Sequence, residues 1–151
     1  MSIVLAFTGT RRGLTDAQRS ALRVVLAGYP GATLHNGCAE GADEECLELV
    51  YSGILGRCSV VLHPAHLLRF IWAQSWQVGF NGHADLRGVA GPLERNRRMV
   101  DAASVVIACP HGPEERRSGT WSTVRYARKR GRDVVIVWPD GRIEREGGGA
   151  G

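Results

Sequence analysis

The chain has 151 residues and a formal net charge of +4; 44% of its residues are hydrophobic and 23% are charged. A chain of this size buries about two-thirds of its unfolded surface, enough for one domain with a hydrophobic core and no disulfide or metal staples. The composition excludes a disordered polymer, and no apolar run approaches the ~18 residues of a membrane-spanning helix.

The elements follow from the periodicity. Met1 to Phe7 lacks a basic region and a small-residue cleavage site, so it reads as a first strand, not a leader peptide. That strand, from Ile3 to Thr8, runs into Gly9. Thr15 and Asp16 then offer an N-cap to a helix carrying Leu22, Val25 and Leu26 on one face and closed by Gly28. A strand is expected over Ala32–His35, a helix from about Ala42 to Ile54, and a third strand over Cys58–Leu62, broken by Pro64. Leu67, Leu68, Phe70, Ile71, Trp72 and Trp76 suggest a short helix, followed by a glycine-rich stretch to Pro92. A basic helix from Leu93 to Ala102 leads into a strand at Ser104–Cys109. A polar loop ends at Ser118-Gly119-Thr120, where a helix begins that runs to about Arg130; Val134–Trp138 is the last strand expected.

Helices alternate with continuous apolar strands, the pattern of a parallel sheet covered on both faces. The expectation is a single Rossmann-like three-layer α/β domain with a mainly parallel sheet over residues 1–139, followed by a flexible glycine-rich tail over 140–151.

Cys38, Cys46, Cys58 and Cys109 contain no C-x-x-C pair, so neither a metal nor a cofactor is implied, and reduced thiols in a cytoplasmic setting are expected. Lys129 is the single lysine among nineteen basic residues. Arginine enrichment fits codon bias as well as it fits bidentate phosphate recognition.

In such a sheet, ligands bind beyond the carboxyl ends of the strands. There the first turn reads Thr8-Gly9-Thr10-Arg11-Arg12-Gly13, the second Asn36-Gly37-Cys38-Ala39-Glu40-Gly41-Ala42-Asp43, and a third Ser118-Gly119-Thr120. Glycines and small hydroxyls at helix starts let backbone amides approach a phosphate. The dinucleotide fingerprint, the P-loop and the nucleophile elbow are all absent, which argues against a nicotinamide dehydrogenase, a P-loop NTPase and an α/β-hydrolase.

The segment Ala90-Gly91-Pro92-Leu93-Glu94-Arg95-Asn96-Arg97-Arg98-Met99 completes a set. Together with Thr8-Gly9-Thr10-Arg11, Gly37-x-x-x-Gly41-Ala42-Asp43 and Gly119-Thr120, it resembles the SLOG superfamily, most closely its YspA/YpsA-related branch, over about Ile3 to Trp138. The resemblance implies a Rossmann-like sheet that binds nucleotide-derived ligands, and a distant similarity to the LOG phosphoribohydrolases. It places Gly9, Thr10 and Arg11 on one wall of a pocket, and Gly37, Gly41 and Asp43 on the second. Gly119 and Thr120 would form a phosphate-binding helix start, with Arg95 on the arginine of the LOG motif. The LOG paired-glutamate motif is replaced by Trp121-Ser122-Thr123, which removes the carboxylate expected to assist glycosidic cleavage.

The leading expectation is binding of a nucleotide-derived small molecule, a nucleotide or an ADP-ribose-type ligand, by a sensor, carrier or sequestering protein. The first alternative is an N-glycosidic hydrolase or transferase acting on a nucleoside phosphate, using Asp43, Glu40 or Glu44. The second is single-stranded nucleic-acid binding, set lowest because arginines and acids are evenly spread, so that nucleic acid is held an improbable partner. No membrane partner is expected, and the aromatics around Phe70 to Phe80 leave room for a homo-oligomer. Cys38, read at a helix start, is expected to have a lowered pKa. His63 ends a strand at the ligand edge without a nucleophile beside it.

Overall fold

A computed structural model describes residues 3–147. The elements run β1 (Val4–Gly9), α1 (Asp16–Ala27), β2 (Thr33–Asn36), α2 (Ala42–Tyr51), β3 (Ser59–Leu62), α3 (Leu67–Gly79), β4 (His83–Leu86), α4 (Pro92–Ala102), β5 (Val105–Cys109), α5 (Gly119–Lys129), β6 (Asp133–Val137) and β7 (Ile143–Glu146). One seven-stranded sheet in the order β4-β3-β2-β1-β5-β6-β7 carries them. Every pairing is parallel except β6 with β7. The Rossmann-like three-layer α/β expectation is met.

Side chains of a strand alternate between faces, and the alternation divides the core in two. Leu5 and Phe7 of β1 join Leu34, Val60, Leu62 and Ile107 beneath α1, α2 and α3. Ala6 faces the other way, with Val106, Ala108 and Ile136, beneath Met99 and Val100 of α4 and Trp121 and Val124 of α5. Thr15 caps α1 in a capping box with Gln18, each side chain serving the other's backbone amide.

Two strands depart from expectation. β4 lies inside the stretch expected to be a glycine-rich loop; His83-Ala84-Asp85-Leu86 is half exposed at the sheet's edge, so it carries no continuous apolar run. Its outer edge is blunted by Gln77, whose amide donates to the Ala84 carbonyl at 2.7 Å. β7 lies where a flexible tail from residue 140 is expected. Its alternating Ile-Glu-Arg-Glu pairs antiparallel with β6, and Arg128 of α5 clamps Glu146 through two 2.9 Å bonds. Residues 148–151 of that tail lie outside the described residues.

β1 is the point at which the chain changes direction across the sheet. From β1 it winds outward through β2, β3 and β4, then returns over the opposite face to lay β5 on β1's other side. The loops leaving β1 and β5 diverge to opposite layers, and a cleft opens between them.

Candidate functional site

The cleft has a volume of about 470 Å³. Its lining comes from the ends of β1 (Gly9, Thr10, Arg11, Arg12) and β2 (Gly37, Ala39), from the start of α2 (Asp43), from α4 (Arg95, Asn96, Met99) and from the loop into α5 (His111, Glu115, Arg117, Ser118, Gly119, Thr120). Eight of the expected site residues, Gly9, Thr10, Arg11, Gly37, Asp43, Arg95, Gly119 and Thr120, therefore meet on one cavity. Gly41 does not line it. Its φ is +84°, and a Cβ there would stand 2.4 Å from the Arg11 carbonyl, so Gly41 is required for packing the second loop on the first.

The loops are stitched together by backbone bonds. The Thr10 amide donates to the Cys109 carbonyl at 3.0 Å, and the Ala42 amide donates to the Thr10 carbonyl at 3.0 Å. The Thr10 hydroxyl accepts from the Arg12 amide at 3.1 Å. On the facing wall, Ser118 caps α5 by accepting from the Trp121 amide at 3.2 Å. The first amides of α5, at Gly119 and Thr120, have no intrahelical acceptor and sit at the positive end of the helix. At Gly9 a Cβ would meet Ala42 at 2.5 Å, whereas at Gly119 a Cβ would have nothing within 4 Å.

Arg95 is buried, and its guanidinium is already engaged. Nη1 donates to the carbonyls of Gly37 and His63, the latter at 3.1 Å, and Nε donates to Asn96 at 2.6 Å. Desolvation lowers its pKa. Arg95 is thus a strut between α4 and the ends of β2 and β3, with one edge on the cleft. Arg98 does not share its site; it pairs with Glu94 at 2.7 Å on the exposed face of α4. Arg97 lies over the Tyr126 ring, 5.4 Å from its centroid.

Asp43 is buried across from Arg95. Oδ2 accepts from the Ala39 amide at 3.1 Å, while Oδ1 has no partner. Burial raises the Asp43 carboxyl to about 6 against the pull of Arg95, Arg11 and Arg69. The other two acids considered for glycosidic chemistry stand apart. Glu44 is paired with Arg69, and Glu40 lies beside a smaller adjoining cavity of about 130 Å³. That lobe shares Arg11, Gly37, Ala39 and Arg95 with the main cleft and ends at His66 and Arg69.

Cys38 departs from expectation. It is completely buried and takes a left-handed φ of 58°. Burial and the nearby Asp43 push its thiol up to about 12, outweighing any helix-end effect, so it is not a poised nucleophile. The feature that reading the chain missed is the His35–His63 pair: Nδ1 and Nε2 lie 2.8 Å apart with the rings stacked. His35 on β2 and His63 after β3 show no sequence relation; only the parallel register brings them together.

The cleft gathers arginines from two separate loops. Arg19, Arg69, Arg98, Arg125, Arg128 and Arg130 all have carboxylate partners. Arg11, Arg12 and Arg117, exposed around the cleft, have no ion pair among the described residues. Among those residues no cluster of three His, Cys, Asp or Glu side chains could hold a metal, and no helix is long and apolar enough to cross a membrane.

No family model matches the chain, and no curated protein matches it. Among solved structures it is similar to DNA processing protein A (DprA) from Streptococcus pneumoniae, with a TM-score of 0.66 and 20% identity. The match covers 89% of this chain and 50% of that one, so the chain spans about half the length of the protein it resembles. This match corrects the leading expectation. No comparison supports a nucleotide-derived small molecule as the ligand, and the low rank given to nucleic acid on the even spread of charge does not stand. An even spread along the sequence does not describe the charge at the cleft, where Arg11, Arg12 and Arg117 come together from two distant loops. What the likeness shows is the fold: this chain is a Rossmann-like α/β domain of the architecture found in a DNA-processing protein.

Proposed function

We propose that the cleft binds single-stranded nucleic acid through its phosphate backbone. The observation that carries this reading is that Arg11, Arg12 and Arg117, which form no ion pair among the described residues, line one cleft with the open amino end of α5. A phosphate seated against the Gly119 and Thr120 amides would take the partial positive charge of the helix and charge-assisted bonds from these side chains. Gly9, Thr10, Gly37 and Asp43 would form the floor, and Arg95 would hold that floor in place. The fold likeness to a DNA processing protein supports the same reading.

A cavity of about 470 Å³ suits a nucleotide or two of a single strand and is too small for a duplex, whose major groove alone is about 12 Å wide. Its lining offers no tryptophan or tyrosine, and His111 is its one partly exposed ring, so binding would be mainly electrostatic and tolerant of sequence. The order of the four motifs supports membership of the SLOG superfamily, near its YspA/YpsA-related branch. Four free, buried cysteines suit a reducing, cytoplasmic setting.

Fluorescence anisotropy with a labelled oligothymidylate, over a salt series, tests this. The expected result is binding that falls linearly in log–log form with a slope of about −0.7 per neutralised phosphate, and weaker binding to a blunt duplex. No binding at low salt, or equal affinity for the duplex, overturns the proposal.

A further inference from the structure

We propose that the outward face of α3 is the contact between two copies of this chain. Helix α3 reads Leu-Leu-Arg-Phe-Ile-Trp-Ala-Gln-Ser-Trp-Gln-Val-Gly and carries a single charge, Arg69. That charge is turned away from the outer face: Arg69 pairs with Glu44 and donates to the Cys38 carbonyl at 2.6 Å. Ala73 is buried, and Trp72, Trp76 and Phe80 pack partly against the core. The opposite side presents Leu67, Leu68, Ile71 and Val78, exposed by 67%, 73%, 50% and 88%. Their spacing places them with Ser75 on one stripe, and Tyr51 of α2, 57% exposed and edge-on to Trp76, extends the patch.

A surface helix shows its polar face to water, whereas α3 is apolar on its outward stripe as well as on the side packed against the core. The exposed apolar surface is on the order of 500 Å², beyond the roughly 400 Å² that a small domain tolerates and more than half of the roughly 800 Å² per partner in a standard interface. The other helices all show charges outward: Arg19 on α1, Glu48 on α2, Arg97 and Arg98 on α4, and Arg125 and Lys129 on α5.

Charge and shape favour a second copy as the occupant. The body carries a net charge of +4, so two copies repel across arginine-bearing faces, but nothing on this stripe opposes its own image. An interface between identical copies is self-complementary about a two-fold axis. With the two α3 helices antiparallel about a point near Ser75, Ile71 of each copy meets Val78 of the other. The small Ser75 side chains at the centre permit the interaxial distance of roughly 8–10 Å that packed helices need. Leu67 and Leu68 then reach the end of the opposite helix, where Gly79 lies against the Tyr51 ring.

The test is sedimentation equilibrium of the full chain, with two variants. The wild type is expected at twice its 16.4 kDa mass. Ile71→Glu/Val78→Glu is expected at half the wild-type mass with an unchanged far-UV spectrum, since both positions are exposed. Ser75→Cys is expected to give a disulfide-linked dimer under mild oxidation, because the four native thiols are buried and cannot compete. A wild type that stays monomeric at every concentration overturns the proposal and leaves the stripe to a different protein. A dimer that survives Ile71→Glu/Val78→Glu, or one in which Ser75→Cys does not cross-link, overturns it as well, by placing the contact elsewhere.

Discussion

His35 Nδ1 and His63 Nε2 lie 2.8 Å apart, so one ring must donate and the other accept, and the pair is held neutral. Burial, with Arg87 nearby, pushes His35 down to about 4; burial, His35 and then Arg87, Arg95 and Arg98 push His63 down to about 3. The unfolded chain protonates these rings near 6.5, before the folded one does. Their contribution to stability is therefore complete above about pH 6.5 and lost as the pH falls from there toward 4. Urea midpoints of wild type and His35→Asn/His63→Asn at about pH 7.5, 6 and 4.5 should show the wild type losing more stability on acidification. Parallel losses in the two proteins would exclude the pair as the cause.

Asp43 acts in the opposite sense. Its carboxyl is raised from 3.8 to about 6, so its contribution is complete below about 3.8 and lost as the pH rises through 6. Asp43→Asn keeps an acceptor for the Ala39 amide and removes the buried charge. The variant should have a higher melting temperature than wild type at pH 8 and nearly the same one at pH 4. A lower melting temperature at pH 8 would mean that the attraction to Arg95 outweighs the burial of the carboxylate.

The glycines separate packing from binding. Gly41→Ala puts a methyl group on the Arg11 backbone at positive φ and should destabilise the fold by about 2 kcal/mol or more. Gly119→Ala meets nothing in the structure, so its melting temperature should stay close to wild type. Its oligonucleotide affinity should fall, because the space above Gly119 is where the phosphate would sit. Thermal melts and anisotropy on the two variants distinguish these outcomes; unchanged affinity in Gly119→Ala would move the phosphate away from α5.

The arginines should divide in the same way. Arg11→Ala and Arg117→Ala should each weaken oligothymidylate binding by about tenfold and reduce the salt slope, with no change in melting temperature. Arg97→Ala, a side chain lying over Tyr126, should leave affinity within about twofold. Arg95→Ala should lose stability as well as affinity, since it leaves the Gly37 and His63 carbonyls without their donor. A stable Arg95→Ala would show that the strut is dispensable.

How much of this can be read along the chain depends on the physical signal at each residue. The Thr15 cap, the apolar strands and the glycine turns at Gly9, Gly37 and Gly119 are local signals, and the structure places them as expected. β4 and β7 are hidden because edge strands, half in water, have no apolar run. Arg95 resembles a ligand arginine in sequence because its two carbonyl partners, on Gly37 and His63, are 58 and 32 residues away. Cys38 misleads because a helix start is visible in sequence and complete burial is not. The arginines of the cleft cannot be recognised in sequence because Arg11 and Arg12 stand about a hundred residues from Arg117, and only the β1–β5 pairing brings their loops to one cavity.

The two neighbours of β1 are made on very different terms. Leu5 pairs on one side with Leu34, and on the other with Val105, across a hundred residues of chain. The half-sheet β1 to β4 grows by joining each strand to the one before it, whereas the β1–β5 seam must close a loop around that entire half. The cleft lies across this seam. It therefore comes into being only when folding is finished, and a chain emerging from synthesis has no cleft until its second half has docked.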